Sequence, residues 1–206
     1  QTDLLWEDFK RRLAHSSHFT TLAQIEREFR QEVQDLYDPH IDPLRVRLVG
    51  EIWVLMEPYA NLDMEKLLGN RDDVRVWVHR EVGPGAWVEY NLLRHPRALR
   101  RQKYLTRLAA PYLREHVGGH GLETIGLTVA APQEGMDGVI HLFPFTCMPE
   151  IVAQNILVQV SNQLDLPVLT YIASEQTGEA GLETRLEAFL DLLLERRYTR
   201  KTEVVG

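Results

Sequence analysis

Cysteine is almost absent from this chain: 206 residues carry one, Cys147. A lone cysteine excludes an internal disulfide framework and makes a reducing cytoplasm the expected setting. It also excludes a zinc or iron–sulfur site built from this chain's thiols alone, because such sites take three or four ligands. No stretch approaches the roughly 18 consecutive apolar residues of a membrane helix, and the first residues do not read as a signal peptide. Basic residues are in the minority, 23 against 30 acidic, for a net charge of −7, which argues against a nucleic-acid partner. There is no Gly-x-x-x-x-Gly-Lys-[Ser/Thr] loop, no Gly-x-Gly-x-x-Gly after the first expected strand, and no His-Glu-x-x-His pair. Internal repeats and low-complexity tracts are lacking too.

What is present is an ordinary globular composition, 44% hydrophobic and 26% charged, long enough for one sizeable core. The first forty residues carry two helical stripes, Leu5, Phe9, Leu13 and then Leu22, Ile25, Phe29, Val33, Leu36. Asp38-Pro39 and Asp42-Pro43 break the pattern, so residues 1–44 form an N-terminal helical segment. From there to residue 206, segments rich in Val, Ile and Leu alternate with helical patterns. Strands are expected near 45–56, 73–79, 138–143 and 167–173, and helices near 87–117, 149–163 and at the C-terminus. That alternation predicts an α/β domain, Rossmann-like, with a mainly parallel sheet of at least four strands flanked by helices. A chain that starts at Gln1 and reaches its first methionine only at Met56 is expected to be a piece of a longer protein.

Cys147 lies in Phe143-Pro144-Phe145-Thr146-Cys147-Met148-Pro149-Glu150, where the third strand should end and a helix begin. A thiol at a helix N-terminus is expected to favour the thiolate, the form that binds metals or attacks electrophiles. The other reading is a small buried apolar side chain. His141, inside the strand, reads as a sheet residue. In open α/β sheets ligands bind at the carboxyl ends of the strands. Three polar loops should meet there: Glu57 to Asn61, Phe145 to Glu150, and Ser174 to Gly181, which contains Glu175, Gln176 and Thr177. Asn61 also reads as a helix cap. A further cluster, Arg94, Arg97, Arg100, Arg101, Lys103 and Arg107, is either a solvated helix face or a docking surface for an acidic partner.

Two segments carry a resemblance. They are Asp137-Gly138-Val139-Ile140 with Pro144-Phe145-Thr146-Cys147-Met148-Pro149-Glu150, and Glu175-Gln176-Thr177-Gly178-Glu179-Ala180-Gly181 with Thr184-Arg185-Leu186-Glu187-Ala188-Phe189. They resemble the acyl-CoA dehydratase activase-related proteins, also called CoA-substrate-specific enzyme activases, relatives of the 2-hydroxyacyl-CoA dehydratase subunits. The likeness spans about residues 45–196. It implies that Cys147 is one ligand of an iron–sulfur cluster used in low-potential electron transfer to CoA-ester chemistry, with Glu175, Gln176, Thr184 and Arg185 shaping the pocket. It also implies partners: the remaining domains of a parent protein, or an ATP-dependent activator or dehydratase subunit, and a CoA-ester ligand. The family's other cysteines and its actin-like ATPase module have no counterpart in these residues. The alternative is a ligand-binding or docking module without redox chemistry, in which Cys147 is structural.

Overall fold

The computed structural model describes residues 2–36, 38–71, 73–176 and 178–205. They divide into two compact units, 1–42 and 43–206. In the first, α1 (Thr2–Ala14) and α2 (Phe19–Asp35) pair through a small aromatic cluster in which the Phe9 and Phe29 rings stack at 4.1 Å. Arg12 of α1 reaches Glu28 and Glu32 of α2, adding a charged seam to that cluster.

The second unit is a three-layer α/β sandwich. Its sheet holds β1 (Leu44–Gly50), β2 (Val76–Arg80), β3 (Gly138–Pro144) and β4 (Val168–Ala173), all parallel, in the order β2-β1-β3-β4. The central strands β1 and β3 are buried on both faces and are mostly apolar, with Arg45 of β1 exposed and Arg47 of β1 and His141 of β3 as buried polar exceptions. Side chains alternate between two cores. Leu44, Val46, Leu48, Ile140 and Leu142 pack under α3 (Ile52–Met56), α5 (Met64–Gly69) and α10 (Glu179–Val205). Val49 and Val139 face α7 (Pro96–Ala109) and α8 (Gly121–Ala130), and α9 (Met148–Leu164) packs against α8 on that side. Gly138 lies directly beneath α10: a Cβ there would stand 2.8 Å from Phe189 and 2.9 Å from Leu193. No helix among the described residues is long and apolar enough to cross a membrane.

The parallel sheet and the N-terminal helix pair agree with the expectation, but several boundaries do not. The strand expected over 45–56 stops at Gly50, and Ile52–Met56 is helical despite its β-branched residues. The cause is local and steric. Gly50 adopts φ 133°, where a Cβ would fall 1.8 Å from the Leu142 carbonyl oxygen, and the Glu51 carboxylate then accepts the Val54 N–H at 3.0 Å as a helix cap. The mostly helical region expected over 87–117 is composed of α6 (Pro84–Trp87), a π-helical turn (Val88–Leu92), a left-handed residue at Arg94 (φ 47°), and α7, which Pro96 opens. In the edge strand β4, Val168 is only partly buried.

Candidate functional site at the carboxyl edge of the sheet

With the order β2-β1-β3-β4, the chain leaves β1 in one direction and continues on its other side with β3. The crevice between the carboxyl ends of β1 and β3 is therefore the topological switch point, where doubly wound sheets bind their ligands. The β1 end delivers Gly50-Glu51, and the β3 end delivers Pro144 to Cys147. Glu51 is tied across the gap, its N–H donating to Leu142 O at 2.9 Å.

Cys147 is the residue immediately before α9, in extended conformation, half-buried, with exposed Phe145 and Met148 on either side. Its position matches the expectation, but its ionisation does not. Burial pushes the thiol above its ordinary value of 9.0, and the Glu150 and Glu51 carboxylates push it further. The Glu150 backbone amide pulls the other way and does not offset them. The helix-terminal effect that should favour thiolate is thus outweighed by desolvation and two nearby negative charges.

Behind Cys147 lies a feature whose pairing the sequence did not suggest. Glu150, in the first turn of α9, is hydrogen-bonded to His141 of β3, Nε2 to Oε2 at 2.8 Å, and both side chains are 0% exposed. The His141 ring stacks on Phe143 at 4.7 Å. Among the described residues His141 Nδ1 and Glu150 Oε1 have no hydrogen-bond partner. The bond clasps the Pro144–Pro149 turn to the sheet and thereby fixes the residue from which Cys147 projects. The signal that could have found it is a histidine inside an otherwise apolar strand followed by a carboxylate in the first turn of the next helix.

The remaining expected site residues divide. Glu175 and Gln176 follow β4 on the same edge and are exposed, while Thr177 lies outside the described residues. Arg185 donates to Thr170 O at 2.5 Å, and Glu187 pairs with Arg71. Asn61 serves as the cap expected of it. It is buried at the end of α4 (Pro58–Asn61), donates to Val54 O at 2.8 Å and accepts the Met64 N–H at 3.1 Å. It joins α3 to α5.

Among the described residues no group of three or more His, Cys, Asp or Glu is arranged to hold a metal ion. One thiol and two carboxylates near it do not fit a complete iron–sulfur site, so this unit offers a single ligand position. No protein-family model and no curated protein matches the chain.

Proposed function

We propose that this chain is a Rossmann-like module of an activase- or 2-hydroxyacyl-CoA dehydratase-like protein, and that Cys147 is its one contribution to an iron–sulfur site serving low-potential electron transfer to CoA-ester chemistry. The observation that carries this reading is the place of Cys147: the β1/β3 switch point, half-buried, ahead of α9, between exposed Phe145 and Met148. A thiol in such a place can meet a metal presented by another chain or segment. The exposed apolar pair is suited to line that contact. Because the thiol is held protonated, ligation has to release a proton, so loading should improve as pH rises.

A second reading is favoured by one specific observation. The same raised thiol, with no further metal ligands grouped around it among the described residues, also suits a docking module whose cysteine is structural. One experiment separates the two. The product of the full reading frame is purified without oxygen, reconstituted with iron and sulfide, and assayed for both beside its Cys147→Ser variant. Iron and acid-labile sulfide that fall in the variant support the redox reading. An iron-free protein, or iron unaffected by the substitution, overturns it in favour of docking.

A further inference from the structure

The other half of the carboxyl edge, beyond β1 and β2, contains a cavity of about 320 Å3. That is at the small end of ordinary ligand sites, which run from roughly 300 to 1,000 Å3. Ile52 follows β1 into it, Val82 follows β2, and Leu105 and Leu127 come from α7 and α8. Trp87 and Tyr90 contribute aromatic faces. We propose that this cavity binds a small molecule with a flat apolar body and a single anionic end, carboxylate or phosphate, the body against Trp87 and Tyr90 and the charge at Arg97.

The choice of an anion follows from how the lining charges are spent. Arg101 is committed to Glu81 and Glu134, at 2.8 and 2.7 Å, and Glu81 is neutralised in turn by Arg101 and Arg47. Among the described residues no carboxylate pairs with Arg97, nor with Arg94 and Arg100 near it in the chain. The whole of α7, Pro-Arg-Ala-Leu-Arg-Arg-Gln-Lys-Tyr-Leu-Thr-Arg-Leu-Ala, contains no acidic residue. Of the other lining carboxylates, Glu89 is exposed and screened by water. Glu123 stands 3.9 Å from His120, and burial pushes its carboxyl up towards the neutral form, which can donate to an anionic oxygen. A second feature points the same way. The wall that supplies Trp87 and Tyr90 is irregular, with a π-helical turn and left-handed Arg94, and such backbone gathers at functional sites.

The site is independent of the reading of Cys147, and either can fail alone. Its test uses 2-naphthoate, 2-naphthyl phosphate and the uncharged 2-naphthalenemethanol, titrated by calorimetry against the whole chain. One-to-one binding of the acids is expected, with Arg97→Ala weakening them about tenfold, or 1.4 kcal/mol, and leaving the alcohol unchanged. Arg97→Lys should restore part of the loss. Ala98→Trp, which fills the cavity, should abolish binding of all three. The tighter of the two acids identifies the headgroup. If Arg97→Ala leaves both acids unchanged, or if neither acid binds, the proposal is overturned; Arg97 is exposed on a helix, so this arm does not depend on the folding of Ala98→Trp.

Discussion

Two polar groups are buried on the same face of the sheet, and they are built on different terms. Arg47 of β1, 1% exposed, donates to Leu127 O at 3.1 Å and to Glu134 at 2.5 Å, stands 3.5 Å from Glu81, and shares both carboxylates with Arg101. Among the described residues only its Nε lacks a partner. The His141–Glu150 pair makes one bond within itself and leaves one polar atom of each member unmatched. The first group ties β1, α7 and the end of α8 together through many partners. The second serves a single turn, the one that bears Cys147. Unmatched buried polar atoms are rare in native proteins and cost stability, and both groups carry them; the two differ in how many elements each ties together.

The sharpest way to break this comparison is to remove each centre in turn. Arg47→Met should cost about 3 kcal/mol or more, since breaking a buried ion pair from one side strands the carboxylates that Arg101 alone must then hold. Urea unfolding measures it. Glu150→Ala should cost less, about 1–3 kcal/mol, for the loss of one buried hydrogen bond. Glu150→Gln, which keeps a polar partner for His141, should cost less still. A Glu150→Ala loss equal to that of Arg47→Met would erase the distinction.

Smaller effects sharpen it. The folded protein holds Glu123 above its ordinary value of 4.5, so it binds more protons there than the unfolded chain does. Stability from this group is present below 4.5 and is lost as pH rises through the folded value. Glu123→Gln should therefore gain on the parent between pH 4 and pH 7, read as the difference in melting temperature at the two pH values; an equal difference at both contradicts it. The smallest change concerns Cys147. Its thiol should react with iodoacetamide at pH 7 more slowly than free cysteine, and Glu51→Gln, which keeps the cap acceptor and removes a charge, should speed it a few-fold. An unchanged rate would mean that Glu51 does not act on the sulfur.

The comparison also marks where sequence reading succeeds. The run from Gly138 to Pro144, then Pro149 and a helical stripe, identified β3, α9 and the turn holding Cys147, because strand propensity, proline placement and periodicity all agree there. The end of β1 was not readable in the same way: Ile52-Trp53-Val54 favours a strand, and only the contact of Gly50 with the Leu142 carbonyl, which is remote in sequence, turns the chain. Asn61 was recognised as a cap, but its burial between two short helices depends on their packing. His141 was recognised as a sheet residue. Its partner nine positions on was hidden, because the pairing depends on which face of α9 meets the sheet.

Gly138 beneath Phe189 and Leu193 has a consequence for how the protein is made. The core of Leu44, Val46, Leu48, Ile140 and Leu142 is closed by Leu182, Leu186, Phe189, Leu190 and Leu193, all from α10, which follows the four strands in sequence. Every strand is synthesised before that cover exists. A nascent chain paused after β4 would leave uncovered the part of this apolar sheet face that α10 closes beside α3 and α5, a surface on which unfinished chains associate with one another or engage chaperones. Translation through residues 182–193 is thus the step at which the unit first becomes able to bury its own interior.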